Sequence, residues 1–441
     1  MNTPRRTAWR VAPADEVAGT LTVPGDKSIS HRALMLGALA VGETHISGFL
    51  DGEDCLATAR ALQALGVQLE RPAATEVRVR GVGATGLSAA AAPLDMGNAG
   101  TAMRLMMGLL APQRFDSTLV GDESLMRRPM ERVAVPLQMM GARIRTADGK
   151  PPVEIRGTPQ LHAIDYCLPV ASAQVKSALL LAGLAATGRT HLTEPAPSRD
   201  HTERMLAAFG VQLEREGRTV AVAGGQALHG TTVAVPGDFS SAAFFLVAGV
   251  LGAARGLRLM NVGVNPTRTG LIDLLQRMGA DIRVHRHAVA DKLATEPVAD
   301  IEVRKSVLRG ITVPEALVPL SIDELPVFFI AAACARGETL VRGALELRVK
   351  ESDRLASMAA GLTRLGVEHA LLPDGLWIRG ADTLSGGIVD SCGDHRIAMA
   401  FAVAALRARA PLEIVDVANV ATSFPGFVTA AGLVGLAIET L

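Results

Sequence analysis

The sequence lacks several features that mark common classes of protein. Basic and acidic residues are equal in number, 44 of each, so no overall charge draws the chain to nucleic acid or to an anionic membrane. Aromatic residues make up only 3% of a chain that is 49% apolar, which leaves few rings for stacking against bases. We therefore expect no nucleic-acid partner, and any anion must be bound by local clusters of cations.

Cysteine and long apolar runs are also scarce. Because the cysteines form no CxxC pair and the histidines have no spacing such as HExxH, the sequence predicts no disulfide framework, no metal and no cofactor. The cysteines are expected to be small buried residues: Cys55, Cys167, Cys334 and Cys392. The longest apolar run, 242–254, is shorter than a membrane span, and the N-terminus lacks an apolar core of signal-peptide length. These observations predict a cytoplasmic protein without a membrane partner.

One pattern occurs six times: a helix end, a glycine, a small residue and an alternating strand, as in ALGVQLE and FGVQLE. The copies stand at Gly66, Gly141, Gly210, Gly279, Gly366 and Gly435. Their separations are 75, 69, 69, 87 and 69 residues, and the widest interval predicts an insertion near 285–312. Glycine suits this position because many helices end on a residue in the left-handed conformation.

A second element precedes each of these helices, namely a turn followed by a helix rich in Ala and Leu, as in PGDKSISHRALMLGALA and CGDHRIAMAFAVAALRA. Such helices are apolar nearly all round, as expected for helices enclosed by sheets. Six units grouped in threes predict an α/β protein of two lobes, with a crossover at the second PGD, 236–238. We expect one lobe to span 24–236 and the other to combine 1–23, including an N-terminal strand near 11–23, with 237–441.

A possible dinucleotide motif is present but lacks its context. The segment GVGATG, Gly81 to Gly86, matches GxGxxG and follows an alternating strand. Only a short Ala-rich stretch follows before Pro93, and no acidic residue lies about 20 positions beyond. A hairpin turn is the better interpretation.

Cations recur beside the starts of the predicted helices, where free backbone N–H groups and the helix dipole favour anions. They are Lys27, Arg32, Arg104, Lys176 and Arg396 at the apolar helices, and Arg127, Arg128, Arg132, Arg199, Arg204, Arg268, Arg348, Lys350 and Arg354 at the second helices. Each alone is more simply a solvated surface cation. Their recurrence predicts that they converge on a cleft between the lobes and bind small molecules carrying phosphate or carboxylate groups.

Several segments resemble the family of 5-enolpyruvylshikimate-3-phosphate synthases: PGDKSISHRAL, GNAGTAMRL, RRPM, SAQVKSALLLAG, VKESDRL and GDHRIAMA. The resemblance runs from about Val23 to Phe427 and extends to the subgroup that includes glyphosate-tolerant members. It implies two inside-out α/β lobes of three βαβαββ repeats each. It also implies transfer of the enolpyruvyl group of phosphoenolpyruvate to the 5-hydroxyl of shikimate 3-phosphate, in aromatic amino acid biosynthesis, by a monomer.

The resemblance also implies roles for individual residues. Contacts to shikimate 3-phosphate would come from Lys27, Ser28, Arg32, Ser172, Ala173, Gln174, Ser198 and Arg199. The phosphoenolpyruvate site would be lined by Asn98, Gly100, Arg128, Arg354 and Arg396, with Lys27 shared. The central catalytic positions would be Asp323 as base, Glu351 as acid, and Lys27 and Lys350 as charge stabilisers or proton relays, with His395 close by. Asp323 and Lys350 would also contact substrate, and the acid and base would both lie in the 237–441 lobe.

Three positions depart from the pattern of some members. Thr422 stands where some carry a lysine that binds phosphoenolpyruvate, and Glu346 where some carry Asn. Gly100 stands where tolerant members carry Ala, which predicts inhibition by glyphosate. A simpler interpretation of Glu351 and Asp353 is a helix-capping pair with Arg354, and this interpretation stays open for Asp353.

Two other functions fit the sequence less well. The related UDP-N-acetylglucosamine enolpyruvyl transferases share the fold but use a loop cysteine as general acid, and no cysteine here lies in a comparable Gly/Arg-rich loop. A catalytically silent scaffold that binds anions would not need Lys27, Asp323, Lys350 and Glu351. The shikimate branch fits best.

Overall fold

The structure is a computed structural model and describes residues 7–288 and 296–441. The helices of these residues are α1 (Lys27–Leu39), α2 (Glu53–Ala64), α3 (Gly100–Leu110), α4 (Glu131–Met139), α5 (Ala173–Gly183), α6 (His201–Ala208), α7 (Phe239–Gly252), α8 (Gly270–Arg277), α9 (Val318–Ser321), α10 (Leu325–Ala333), α11 (Arg354–Arg364), α12 (His395–Ala404) and α13 (Phe427–Leu433).

The strands in the first half of the chain are β1 (Ala8–Val11), β2 (Gly19–Thr22), β3 (Ala40–Ser47), β4 (Gln68–Ala73), β5 (Glu76–Val82), β6 (Leu94–Asp95), β7 (Ser117–Val120), β8 (Arg143–Ala147), β9 (Lys150–Arg156), β10 (Asp165–Cys167), β11 (Arg189–Thr193), β12 (Leu213–Glu216) and β13 (Thr219–Ala223). Those that follow are β14 (Leu228–His229), β15 (Thr232–Ala234), β16 (Leu257–Gly263), β17 (Asp281–Arg286), β18 (Val298–Arg304), β19 (Glu338–Val341), β20 (Glu368–Leu372), β21 (Gly375–Arg379), β22 (Gly387–Asp390), β23 (Leu412–Val415) and β24 (Ile438–Thr440).

The described residues divide into two compact units. The first unit contains 25–236 together with Glu296, and the second contains 7–24, 237–288 and 297–441. The chain therefore passes between units after Pro24 and after Pro236. The predicted insertion near 285–312 coincides with the connection between β17 and β18, part of which lies outside the described residues.

Each unit contains three small sheets. In the first unit the strand orders are β14-β3-β5-β4, with β15 also paired to β3, then β6-β7-β9-β8 and β10-β11-β13-β12. In the second they are β17-β18-β16-β2, β19-β21-β20 and β22-β23-β1-β24. Five sheets contain a hairpin of consecutive strands, whereas in the sixth β1, from the start of the chain, lies antiparallel to β24. The predicted N-terminal strand is thus two strands, β1 and β2, in different sheets.

The helices at the centre of each unit are buried along almost their whole length. They are α1, α3 and α5 in the first unit and α7, α10 and α12 in the second. All residues of α7 are buried, whereas strands such as β4 are largely exposed. Helices inside and sheets outside give each unit its own apolar core. The predicted inside-out α/β architecture of three repeats per unit is confirmed.

The six recurring glycines end six helices as predicted. They follow α2, α4, α6, α8, α11 and α13, and their φ angles lie between +72° at Gly366 and +107° at Gly435. An L side chain would be strained at such angles. The helix-to-strand turn of every repeat therefore depends on glycine.

Two minor predictions were wrong. The segment 83–93 contains no helix, which agrees with the rejection of a dinucleotide site, but it is not a hairpin because β5 and β6 belong to different sheets. Cys55 is buried, whereas Cys167 and Cys392 are exposed because they lie at the end of an edge strand and in a turn.

Within the described residues no single helix is long and apolar enough to cross a bilayer, although the bent pair Glu315–Ser321 and Leu325–Ala333 meets that test jointly.

Candidate active site

The first unit brings together the N-terminal ends of α1, α3 and α5. Asp26 caps α1 by accepting a hydrogen bond from the Ile29 N–H at 2.9 Å, and Ser172 caps α5 through the Val175 N–H at 3.5 Å. Helix α3 begins at Gly100 without a side-chain cap. Since N-terminal N–H groups and helix dipoles favour anions, three such ends form a suitable frame for an anion site.

Arg32 connects α1 to its neighbours. Its Nη2 donates to Ser177 Oγ on α5 at 2.8 Å, and its Nε donates to Thr202 Oγ1 on α6 at 2.6 Å. Its Nη1 donates to the Ser28 carbonyl at 2.9 Å. Among the described residues, every hydrogen bond of this guanidinium therefore ends on an uncharged oxygen. Burial lowers the pKa of Arg32 to about 10, and nearby carboxylates oppose that shift only in part.

Lys27, at the first position of α1, pairs with a carboxylate of α2. Its ammonium contacts Asp54, which is 3% exposed, while the lysine side chain is 22% exposed. The Cys55 thiol lies 3.8 Å from the Lys27 carbonyl, and Thr58 Oγ1 lies 2.8 Å from Nδ1 of the buried His31. Helix α2 therefore holds the start of α1 at several points.

Gln174 links α5 to α3. Its Oε1 accepts from Arg104 Nη1 at 2.7 Å, and its Nε2 donates to Thr101 Oγ1 at 2.8 Å. Arg104 also donates to the Pro129 carbonyl at 2.9 Å. Both ends of the amide are thus held, which fixes the direction of its remaining N–H.

Asn98, Gly100 and Arg128 form a compact group at the start of α3. Arg128 donates to the Asn98 side chain and, at 3.2 Å, to the Asn98 carbonyl. Asn98 Nδ2 donates to Asp122 at 2.7 Å. A Cβ added at Gly100 would lie 3.0 Å from Arg128 Nη1, so the absence of a side chain there leaves room for the guanidinium.

Ser198 and Arg199 precede α6, whose Thr202 binds Arg32. Ser198 Oγ donates to Glu194, and Arg199 is half-buried. The expectation that Lys176 binds an anion is wrong, because Lys176 is 2% exposed and its ammonium lies 2.7 Å from Glu194 and 2.8 Å from Glu203. Burial disfavours its charge, but the two carboxylates outweigh burial and raise the pKa of Lys176.

In the second unit, Arg354 is the centre of a carboxylate cluster. Its guanidinium contacts Asp394 at 2.8 Å, Glu351 at 2.5 Å and Asp323 at 3.3 Å. Arg354 is 0% exposed. Burial opposes the charged form, yet the three carboxylates outweigh burial and raise the pKa of Arg354.

Two further cations flank Asp323. Lys350 Nζ lies 3.6 Å from Asp323 Oδ1, and Arg396 Nη1 donates to the Asp323 carbonyl at 2.9 Å. His395, the first residue of α12, has its Nε2 3.2 Å from Ser423 Oγ. The second unit therefore brings Asp323, Lys350, Glu351, Arg354 and Arg396 together, with His395 next to Asp394. The expectation that Arg268 binds an anion is wrong, because Arg268 is 2% exposed and donates to Asp238 at 3.0 Å.

Two of the three positions that depart from the family pattern, Glu346 and Thr422, lie in the same unit as this cluster. Glu346 lies 3.8 Å from Lys350 Nζ, and Thr422 Oγ1 donates to the Asn419 carbonyl at 2.7 Å. Asp353 accepts from the Ala356 N–H at 3.1 Å and from Arg348 at 2.7 Å. Asp353 is therefore the N-cap of α11, although its arginine partner is Arg348 and not Arg354.

Sequence reasoning missed most of the partners that hold these groups. They are Asp54, Thr101, Ser177, Glu194, Thr202, Glu203 and Asp394. Several lie inside recognised segments, since GNAGTAMRL contains Thr101, SAQVKSALLLAG contains Ser177 and GDHRIAMA contains Asp394. Among the described residues, no group of three or more His, Cys, Asp or Glu side chains is arranged to hold a metal ion.

Comparison with known proteins supports one family. The family model of EPSP synthase (3-phosphoshikimate 1-carboxyvinyltransferase) matches residues 11–430. A 3-phosphoshikimate 1-carboxyvinyltransferase of Alkalilimnicola ehrlichii is 59% identical over 98% of this chain and 96% of its own length. A relative with the same name in Methylococcus capsulatus is 57% identical over 98% of both chains.

Solved structures show the same relationship. The EPSP synthase of Acinetobacter baumannii aligns with a TM-score of 0.87 at 50% identity, covering 99% of this chain and 100% of the other. The enolpyruvyl transferase NikO of Streptomyces tendae aligns over 99% of both chains with a TM-score of 0.80, but at 20% identity it supports the fold alone. The motifs, the repeated architecture and these full-length matches together establish that the chain belongs to the EPSP synthase family.

Proposed function

We propose that the residues gathered in the two units carry out enolpyruvyl transfer by addition and elimination. Membership of the family confirms the predicted reaction: a transferase that joins phosphoenolpyruvate to the 5-hydroxyl of shikimate 3-phosphate and releases phosphate, in the shikimate pathway. The assignment of individual residues is the proposed part.

The first unit is proposed to bind shikimate 3-phosphate. Arg32 is 4% exposed, and its hydrogen bonds to the described residues end on neutral oxygens. A bound anion would therefore supply this buried charge with a counter-ion. The phosphate and hydroxyl groups would be bound by Lys27, Ser28, Ser172, Ala173, Gln174, Ser198 and Arg199 beside Arg32. Ser198 Oγ donates its only proton to Glu194. Towards a substrate hydroxyl, Ser198 Oγ would therefore act as the acceptor as long as its hydrogen bond to Glu194 is kept.

Phosphoenolpyruvate carries a carboxylate and a phosphate, and guanidinium groups suit both. We assign its binding to Lys27, Asn98, Gly100, Arg128, Arg354 and Arg396. Arg354 is 1% exposed at its side chain and is engaged by three carboxylates, whereas the Arg396 side chain is 15% exposed. Arg396 would therefore make the more direct contact in this set, and Arg354 would mainly hold the carboxylates in position.

Exposure also separates the carboxylates of the second unit. The side chains of Asp323 and Glu351 are 14% and 19% exposed, whereas Asp394 is 0% exposed. Only the first two are accessible to substrate, so they are assigned as base and acid. Lys350, 21% exposed and 3.6 Å from Asp323, would stabilise charge, as would Lys27, with His395 nearby.

In the proposed addition step, Asp323 accepts the proton of the 5-hydroxyl as its oxygen bonds to the enol carbon. Glu351 donates a proton to the methylene carbon, which becomes a methyl group, and the product is a tetrahedral adduct. In the elimination step the bond from carbon to the phosphate oxygen breaks and the departing phosphate takes up the proton held by Asp323. The methyl group returns a proton to Glu351, so both carboxyl groups regain their starting protonation states. Atoms and charge balance with phosphoenolpyruvate and shikimate 3-phosphate as the only reactants.

The observation that carries the proposal is the joint placement of Asp323, Lys350 and Glu351 around Arg354. Its test is phosphate release from phosphoenolpyruvate, measured with shikimate 3-phosphate and separately with UDP-N-acetylglucosamine. We expect release with the first acceptor and none with the second. Release only with UDP-N-acetylglucosamine would contradict the proposal.

The remaining assignments follow from the family resemblance. We propose that the chain acts as a monomer in the cytoplasm on these two small molecules, without nucleic acid, membrane, metal or cofactor. We also propose that the first unit supplies the shikimate 3-phosphate contacts and the second the acid and base. Sedimentation at micromolar concentration would reveal a dimer if the monomer assignment is wrong.

A further inference from the structure

A small apolar cavity lies in the first unit, and none of its lining residues belongs to α1, α3 or α5. Its volume is about 170 Å³, and its apolar lining comes from α2, β4, β5 and the segment before α2. The apolar residues are Phe49, Leu56, Ala59, Leu69 and Val77. An apolar cavity of about 150 Å³ is large enough to bind benzene, so this one can hold a single six-membered ring.

The polar lining of the cavity is cationic. It consists of Arg60, Gln63 and Arg71, with arginine side chains that are 61% and 36% exposed. Arg71 contacts Asp51 at 2.6 Å and the Ala74 carbonyl at 3.2 Å, both through Nη2. Arg60 lies 3.9 Å from Glu53, beyond hydrogen-bond distance. Both guanidinium groups thus retain donors for a planar anion beside the apolar space.

Helix α2 separates this cavity from the start of α1. Leu56, Ala59, Arg60 and Gln63 recur at helical spacing and line the cavity. Asp54, Cys55 and Thr58 contact Lys27 and His31 from another face of the same helix. A ligand that shifts or stiffens α2 would therefore act on the residues that hold Lys27.

We propose that this cavity binds a small carboxylic acid with one apolar ring, and that its occupancy is coupled through α2 to substrate binding at Lys27. The ring would occupy the apolar space, and the carboxylate would pair with Arg60 and Arg71. A single planar carboxylate matches the guanidinium fork, whereas a neutral amide of the same shape provides no charge for it. The coupling rests on the proposed role of Lys27, but binding in the cavity does not.

Binding is tested by fluorine NMR titration of the whole protein with para-fluorobenzoate and with para-fluorobenzamide. We expect saturable binding of the acid, and binding of the amide that is weaker by about tenfold. Ala59→Leu fills the cavity and should abolish binding of both. Replacing both cavity arginines with Gln should weaken binding of the acid by about tenfold and leave binding of the amide unchanged.

Arg189→Gln is the matched control, because Arg189 is an exposed arginine of the same unit, paired with an exposed carboxylate, Glu214, and outside the cavity. We expect it to bind the acid like the unaltered protein. The site would be overturned if para-fluorobenzoate bound with the same Kd to Ala59→Leu, to the double arginine variant and to the control. If Ala59→Leu does not fold, the arginine variant alone decides.

Coupling is tested by calorimetric titration of shikimate 3-phosphate with and without saturating para-fluorobenzoate. We expect its Kd to change by at least about twofold, and the Kd of the acid to change by the same factor when shikimate 3-phosphate is bound, because coupling is reciprocal. The change should vanish in the double arginine variant. An unchanged Kd would refute the coupling, and failure of shikimate 3-phosphate to bind at all would instead refute the proposed function.

Discussion

Two buried arginines, one in each unit, are held in opposite ways. Arg32 is 4% exposed and donates to two hydroxyls and one carbonyl, and its pKa is lowered to about 10. Arg354 is 0% exposed and donates to Asp394, Glu351 and Asp323, and its pKa is raised. Among the described residues, no carboxylate contacts the guanidinium of Arg32, whereas three contact that of Arg354.

This difference separates a binding role from an organising role. A buried cation without a contacting counter-ion is destabilised, and an arriving phosphate removes that penalty and strengthens its own binding. The charge of a buried cation surrounded by carboxylates is already balanced, so it attracts an anionic ligand weakly. Such a cation instead holds those carboxylates in fixed positions. The first unit is thus suited to capture an anion, and the second to present Asp323 and Glu351.

The largest effect is expected from Asp323→Ala. Loss of the base should lower kcat by about 10³-fold, within the usual range for general acid–base groups. Calorimetric titration should still detect shikimate 3-phosphate, because its proposed contacts lie mainly in the first unit. Asp323→Asn, which preserves shape but cannot accept the proton, should be equally slow. Undiminished turnover in either variant would refute the base role.

Arg354→Met tests the organising role through stability. Removing this guanidinium leaves three carboxylates without their shared partner, so we expect the free energy of unfolding to fall by about 3–5 kcal/mol. Arg32→Met removes a charge that contacts no carboxylate within 7–288 and 296–441, so its effect on the free energy of unfolding should be much smaller. Urea unfolding of both variants measures the contrast. Equal losses of stability would show that the two arginines are not held differently.

Arg32→Met tests the binding role through affinity. We expect the Kd for shikimate 3-phosphate, measured by calorimetry, to rise by about 100-fold, because a buried charge-assisted contact to phosphate is lost. Arg189→Met, on the exposed surface of the same unit, serves as the control and should bind normally. A change of less than about threefold in Arg32→Met would contradict the phosphate assignment.

Gly100→Ala alters the space around Arg128 without changing any charge. The added Cβ would lie 3.0 Å from Arg128 Nη1 and 3.5 Å from Arg104 Nη1, so at least one guanidinium must move. We expect the KM for phosphoenolpyruvate to rise by roughly tenfold, a typical cost of overpacking, and the inhibition constant of glyphosate to rise as well. Gly432→Ala is the control, since no atom lies within 4 Å of its added Cβ. An inhibition constant that does not change in Gly100→Ala would count against the steric argument.

The repeats and the helix starts could be predicted from sequence because they are local. A glycine with positive φ follows the second helix of each repeat. An Asp or Ser just before the first turn of a helix indicates an N-cap, as at Asp26, Asp394 and Asp353. The cations that neighbour those caps in the sequence could therefore be assigned to helix starts. The first strand of the chain was harder, because β1 completes a sheet whose other strands begin after residue 386.

Which cations remain available to a ligand could not be predicted, because that depends on distant residues. Thr202, which accepts a hydrogen bond from Arg32, is 170 residues away in the sequence, and its neutral hydroxyl does not balance the charge of Arg32. Glu194 is 18 residues from Lys176, and its carboxylate does balance the charge of the lysine. Turn motifs reveal the positive groups, whereas their partners come from other elements, in the same repeat for Lys176 and in another repeat for Arg32. The difference between Arg32 and Lys176 is therefore a property of the folded unit.

The smallest effect concerns His31, which sharpens the picture of the first unit. This imidazole is buried, and burial followed by Lys27 and Arg32 lowers its pKa well below 6.5, so the folded chain keeps it neutral beside two cations. As the pH falls below about 6.5, His31 binds a proton in the unfolded chain but stays neutral in the folded chain. The free energy of unfolding must therefore fall. The contribution of His31 to the slope of unfolding free energy against pH is at most about 1.4 kcal/mol per pH unit, between the lowered pKa and 6.5.

Urea unfolding between pH 5 and 8 measures that slope in two variants. His31→Gln should give a shallower slope than Leu34→Ala, a control that changes a buried residue of the same helix and introduces no titratable group. Identical slopes would mean that His31 is not kept neutral.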